Sequence, residues 1–187
     1  MDKQIRFLSN NLEKIEEVRT ILQSCGIEVI PNRTKIVELQ TDDVRLLVKD
    51  KALKAFKKIG RPLIVEHTGL YIDKINGLPG GLTQIFWDTL QADKFAELFG
   101  ASDNTSKATA KTIVCYVDGK KFKFFESEIS GSIVNVPRGD RKFQWDCVFV
   151  PENTQQTFSE MTKEKKNTMS MRTKALQQFV EYLNNPK

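Results

Sequence analysis

The only histidine of the chain, His67, directly follows Glu66 inside "LIVEHTGLYIDKINGLPGG", a stretch beginning at Leu63. An imidazole titrates near neutrality and can move a proton when a carboxylate stands beside it. Three other stretches carry residues with comparable potential. "SNNLEK" sets Ser9, Asn11 and Lys14 where an apolar segment gives way to a helical pattern. Backbone amides and the positive end of a helix suit a phosphate there, and Lys14 adds charge one turn in. The same residues would equally make an N-cap followed by a surface lysine. In "NVPRGDRKFQWDCVFVP", Phe143 and Trp145 bracket a polar turn, and Asp146 precedes an apolar run. Such a set can stack a base and accept from its N–H edge, or can be a hydrophobic hairpin with an incidental acid. "KKNTMSMR" brings Lys166, Ser170 and Arg172 to the start of the last helix, as donors for phosphate or carbonyl oxygens or as a solvated face.

The elements that must position these residues follow from periodicity. "KQIRFLS", "IEVIP" and "RPLIVE" read as short strands. Between them, "LEKIEEVRTILQSCG" and "TDDVRLLVKDKALKAFKKIG" have apolar residues at helical spacing, the second with Thr41 or Asp42 as its cap. This βαβαβ order predicts an α/β fold with a central, partly parallel sheet. After "NGLPGG" the spacing predicts a helix over "LTQIFWDTLQADKFAELFG", a hairpin turning at Asp118-Gly119 with a further strand, a strand at "DCVFVP", and one closing helix. No repeat or linker divides the chain, so residues 1–187 read as a single domain.

Composition narrows the function classes. The 187 residues are 40% hydrophobic and 28% charged, as in a globular protein with a substantial core. No run approaches a membrane span and the N-terminus lacks signal-peptide form, so the expected location is the cytoplasm. Cys25, Cys115 and Cys147 are widely spaced and histidine is nearly absent, which argues against zinc and for reduced, mostly buried thiols. The net charge of +5, with lysines clustered in "KALKAFKKIG", "DGKKFKFF" and "TKEKKNTMSMR", fits solvated faces or attraction to a polyanion. A nucleoside triphosphate would satisfy the latter, and no nucleic-acid-binding motif is present.

Taken in order, "SNNLEK", "EHTGLYIDKINGLPGG", "PRGDRKFQWDCVFVP" and "FSEMTKEKKNTMSMRTKAL" resemble the inosine triphosphate pyrophosphatase family from about Ile5 to about Tyr182. The resemblance implies a two-lobed α/β fold, a central mixed sheet flanked by helices, a cleft between the lobes, and a dimer. It also implies magnesium-dependent cleavage of inosine, deoxyinosine or xanthosine triphosphate to a monophosphate and pyrophosphate. By position, Ser9, Asn11, Lys14 and Lys166 would hold the triphosphate, and Glu38 and Glu66 the metal. Phe143, Trp145 and Asp146 would receive the base, and Ser170 with Arg172 would read its six-position oxygen. A carbonyl stands there in hypoxanthine where adenine has an amino group, so donors aimed at it leave adenine unpaired at about 1–3 kcal/mol per buried group.

One position breaks the pattern. The family carries a pair of acidic residues followed by Thr or Ser, and this chain reads Glu66-His67-Thr68. His67 thus stands where the resemblance places the aspartate that binds metal and activates water, and imidazole is a poor magnesium ligand. Either catalysis is lost while binding survives, or His67 is itself the general base, or it packs structurally while another carboxylate such as Asp73 takes over. Met171 replaces a second family histidine, and Gln144 and Cys147 replace a glycine and a proline. Binding without turnover is the economical reading of this mixture: a sensor of ITP, dITP or XTP that biases a protein effector, with bacterial anti-phage defence as one setting. On that reading magnesium is weakened or dispensable. A working pyrophosphatase of nucleotide-pool sanitation is the alternative.

Overall fold

The computed structural model of the chain describes residues 3–103 and 106–185. In chain order the elements are β1 (Lys3–Leu8), α1 (Leu12–Gln23), β2 (Ile27–Asn32), α2 (Val44–Ile59), β3 (Leu63–Ile72), β4 (Pro79–Gly80), α3 (Thr83–Phe99), β5 (Lys107–Val117), β6 (Phe122–Ile133), β7 (Phe149–Pro151), α4 (Lys163–Met169) and α5 (Met171–Asn184). The strands form a mixed, open sheet in the order β2-β1-β3-β5-β6-β7, with β4 paired to β3 off this path. The chain is an α/β protein, and its residues divide into two compact units.

Unit one takes the residues up to His67, Thr112–Ser127 and those from Arg172 onward. β1 pairs in parallel with β2 from Lys3 opposite Ile27 to Leu8 opposite Asn32, and in parallel with β3 through Arg6–Leu63 and Phe7–Ile64. This is the arrangement that βαβ order favours. α1 buries Ile15, Val18, Ile21 and Leu22, which recur at helical spacing. α2 is capped by Asp43 rather than by Thr41 or Asp42: the Asp43 side chain accepts from the Leu46 amide at 3.0 Å. It ends on Gly60 at φ 64°, a left-handed cap that glycine adopts without strain. Phe7, Leu22, Ile64, Leu176 and Phe179 anchor this core.

Unit two takes Thr68–Lys111 and Glu128–Met171. β4 runs antiparallel to β3 through Leu70–Gly80 and Tyr71–Pro79. The strands approach so closely that a Cβ on Gly69 would lie 2.5 Å from the Gly80 carbonyl oxygen. The Thr83 hydroxyl donates to the Gly80 carbonyl at 2.7 Å and accepts the Leu70 amide at 2.8 Å, tying this turn to the start of α3. β6 and β7 pair antiparallel from Gly131–Pro151 to Ile133–Phe149. Trp87, Phe95, Trp145, Phe149 and Phe158 fill the core.

Three elements differ from the sequence expectation. β3 does not stop at Glu66; it continues buried through His67 to Ile72. α3 is broken at Gln91, whose φ of 56° and ψ of 177° are non-helical. The single closing helix is two helices, interrupted at Ser170, whose ψ of 143° is extended. The turn at Asp118-Gly119 is as expected: the Asp118 carboxylate accepts from the Lys120 and Lys121 amides at 2.9 and 3.0 Å, and Gly119 takes a φ of 91°.

Candidate functional site

In unit one the N-terminus of α1 and the middle of β3 share a network of charged side chains. Asn11 has extended backbone angles and caps α1, its side-chain oxygen accepting the Lys14 amide at 2.9 Å. The Ser9 hydroxyl accepts the Asn11 amide at 3.2 Å. The plain capping reading therefore holds for these two, but Lys14 is no surface lysine. Its ammonium lies 2.8 Å from Glu66 Oε1, and its side chain is only 15% exposed. Arg172, at the start of α5, donates from Nε to Glu66 Oε2 at 2.9 Å and from Nη1 to Glu17 on α1. Glu66 thus has a cation on each oxygen. Burial pushes its carboxyl up, and Arg172 and Lys14 together more than reverse this, leaving it well below the usual carboxylate range.

Glu38 lies in the extended segment after β2. Lys51 of α2 binds its Oε1 at 2.7 Å and donates more weakly to the Glu66 backbone carbonyl at 3.4 Å. Two further α2 lysines tie the segment down, Lys54 donating to the Val37 carbonyl at 3.0 Å and Lys58 to the Lys35 carbonyl at 2.9 Å. The lysines of "KALKAFKKIG" are therefore partly tethers rather than a purely solvated face. Burial pushes the Glu38 carboxyl up, and Lys51 chiefly outweighs it, so the group ionises more readily than a free glutamate.

His67 is buried beside these charges, and its Nε2 has no hydrogen-bond partner among the described residues. Burial first, then the positive charges of Lys14 and Lys51, lower its pKa to about 4, against the weaker opposite pull of Glu38 and Glu66. The imidazole is neutral at physiological pH. Near it, Lys14 pairs with Glu66 and Lys51 with Glu38, while Arg172 pairs with Glu66 and Glu17. Asp73, the other carboxylate considered from the sequence, belongs to unit two. It is exposed and follows the end of β3.

In unit two the 3₁₀ turn Gln144–Cys147 carries Trp145 and Asp146, both buried. Asp146 forms an ion pair with Lys166 of α4, which is itself buried. The Lys166 ammonium lies 4.1 Å from the centre of the Phe143 ring and 5.7 Å from that of Phe158. Trp145 packs edge-on against Phe149 with ring centres 5.7 Å apart, and its indole N–H has no partner among the described residues. Ser170 is buried and closes α4, its amide donating to the Lys166 carbonyl at 2.9 Å. Met171 lies in the unit-two core, filling space where the family pattern has a polar ring. Cys115 and Cys147 are buried, with thiol pKa values raised by burial to about 12 and about 11, while Cys25 is exposed.

The structure so gathers Lys14, Glu38, Glu66, His67 and Arg172 in unit one, with Ser9 and Asn11 shaping the helix end. It gathers Phe143, Asp146 and Lys166 in unit two, with Trp145 and Ser170 on the same turn and helix. Glu17 and Lys51 escape sequence reasoning. Only Glu17 leaves a signal, its spacing one helical turn beyond Lys14.

No group of three or more His, Cys, Asp or Glu among the described residues stands where it could hold a metal ion. The oxygens best placed to do so, on Glu38 and Glu66, already face ammonium and guanidinium groups. The donor set does not fit the magnesium that the sequence resemblance implies.

Known proteins resemble the chain over nearly its whole length. It is 34% identical to the dITP/XTP pyrophosphatase of Methanopyrus kandleri, covering 97% of each chain. It is 33% identical to the inosine triphosphate pyrophosphatase of Saccharomyces cerevisiae, covering 97% of this chain and 96% of that one. The solved structure of a HAM1 protein from Coxiella burnetii superimposes with a TM-score of 0.80 at 25% identity, over 97% of this chain and 98% of that one. The match to the Ham1 family extends over residues 5–182, and the chain belongs to that family.

Proposed function

We propose that the chain binds a purine nucleoside triphosphate of the inosine or xanthosine type without hydrolysing it, and that its occupied state is read by a protein effector. The relatives' names supply the ligand class, dITP or XTP among them. Lys14 and the α1 end supply phosphate-binding chemistry in unit one. Phe143, with Asp146 and Lys166 at its edge, supplies base-stacking chemistry in unit two, and Lys166 can also meet phosphate. Arg172 orients Glu66 and Glu17, so reading of the six-position oxygen falls chiefly to Ser170 and nearby amides.

The observation that carries the loss of hydrolysis is His67, a buried neutral imidazole among paired lysine and glutamate side chains. Metal-assisted attack of water needs surplus negative charge to hold the ion, and an aspartate at this position would provide it. The alternative, His67 as general base in an active pyrophosphatase, requires a pKa near the working pH. Burial and the charges of Lys14 and Lys51 make His67 a weaker base than a free imidazole. A ligand held without turnover shifts the population of any effector that binds the occupied form, and anti-phage defence is a setting where such a nucleotide signal would be used.

Mass spectrometry after incubation with dITP and Mg²⁺ tests the proposal. The wild-type chain is expected to return intact dITP, and His67→Asp to release dIMP and pyrophosphate. Rapid turnover by the wild type would sink the sensor reading and make His67 a catalytic base.

A further inference from the structure

We propose that the chain takes its nucleoside triphosphate as the metal-free anion, with Lys51 and Lys14 supplying the positive charge that a divalent ion would otherwise bring. This rests on the nucleotide-binding reading above. Lys51 bridges the Glu38 carboxylate, at 2.7 Å, and the Glu66 backbone carbonyl, at 3.4 Å, so an ammonium already stands where the acidic segment meets the strand. Lys14 and Arg172 engage the two oxygens of Glu66 at 2.8 and 2.9 Å. A magnesium ion demands near-octahedral oxygen ligation, and here it would have to displace those cations. The next donor along β3 is the partnerless Nε2 of His67, a nitrogen that magnesium disfavours.

A triphosphate enters by exchanging with carboxylates rather than by displacing the cations. Lys51 can turn from Glu38 to a phosphate oxygen, because the Glu38 side chain is 38% exposed and returns to water when released. Lys14 can do the same, because Glu66 keeps the Arg172 guanidinium. Each exchange replaces one anion by another at the same ammonium, and the released carboxylates keep a partner, water for Glu38 and Arg172 for Glu66. Magnesium bound to the triphosphate removes two negative charges from it and weakens its attraction to both lysines. The site therefore prefers the free anion to its magnesium complex.

Isothermal titration of the full chain with dITP, in MgCl₂ and in EDTA at matched ionic strength, tests this directly. Binding in EDTA is expected to equal or exceed that in Mg²⁺, and His67→Asp to reverse the order by about tenfold or more. Lys51→Met should weaken binding in EDTA by about tenfold while Lys51→Arg retains it, with thermal melts confirming that both variants are folded. Wild-type binding that needs Mg²⁺, or a folded Lys51→Met that binds dITP as the wild type does, would overturn the inference and leave the nucleotide-binding reading standing. Binding in neither buffer would overturn both.

Discussion

Both units set a lysine against an acidic side chain, but they surround it differently. In unit one Lys14 meets Glu66 among further charges, with Arg172 and Glu17 beyond it and Lys51 and Glu38 beside it. In unit two Lys166 meets Asp146 under the rings of Phe143 and Phe158. A network of alternating charges can exchange partners when an anion arrives, because each released carboxylate keeps another partner, Arg172 for Glu66 and water for Glu38. A pair walled by aromatic rings has no such freedom, and its surroundings suit a flat, polarisable ring. The contrast is the physical support for the proposed division, with phosphate chemistry in the first unit and base chemistry in the second.

Removing the cation from each unit breaks the comparison most severely. Arg172→Met takes a buried guanidinium from Glu66 and Glu17 together, and a loss of about 3–5 kcal/mol is expected in urea unfolding. Lys166→Met takes one charge from Asp146, so its cost belongs at about 3 kcal/mol, and adding Asp146→Asn should recover most of it. No pair of substitutions so simple recovers Arg172→Met, because Glu17 and Glu66 would both need neutralising. Full recovery of that variant by Glu66→Gln alone would show that Glu17 is not part of the network.

The next largest effect separates the units by pH. The His67 imidazole has a pKa of about 4 in the folded chain against the ordinary 6.5. Above pH 6.5 it is neutral in both states and contributes no pH dependence. Between about 6.5 and 4 the unfolded chain binds a proton that the folded chain refuses, so stability falls as pH falls, by about 3 kcal/mol over the window. Glu66 acts in the same direction but lower. Its folded pKa lies below the ordinary 4.5, so its contribution is present above that value and lost as acid protonates it in the folded state. His67→Gln should flatten the upper window and leave the lower fall intact. An unchanged slope between pH 6.5 and 4 would place the titration elsewhere.

How much of this the sequence reveals depends on chain distance and on helix faces. Asn11 and Lys14 are legible because cap and lysine lie within one turn of α1. Phe143, Trp145 and Asp146 are legible because one short turn presents all three. Arg172 is legible as a residue but not in its role, since Glu66 and Glu17 are 106 and 155 residues away and no local pattern encodes such a pairing. Lys51 is hidden among ordinary helix lysines, and only the path of the segment after β2 makes it special. The end of β3 is misread because Glu66-His67-Thr68 breaks the apolar run, although burial of paired polar groups lets the strand continue. The breaks at Gln91 and Ser170 leave no mark because neither residue forbids a helix; tertiary packing decides them.

The smallest predicted effect concerns the caps before the two lysines. Asn11 caps α1 through the Lys14 amide at 2.9 Å, and Thr162 caps α4 through the Lys165 amide at 3.2 Å. Replacing either by alanine should cost about 1 kcal/mol in global unfolding. The local consequences should differ. α1 is a 12-residue helix held by four buried apolar side chains, whereas α4 is a 7-residue helix whose one buried residue is Lys166. A helix that short depends on its ends. Hydrogen exchange should therefore quicken through α4 and up to the Ser170 amide in Thr162→Ala, while α1 stays protected in Asn11→Ala beyond its first turn. Equal loss of protection in both variants would mean that the Asp146 ion pair holds α4 as firmly as apolar packing holds α1, and the contrast between the units would narrow to their ligand chemistry.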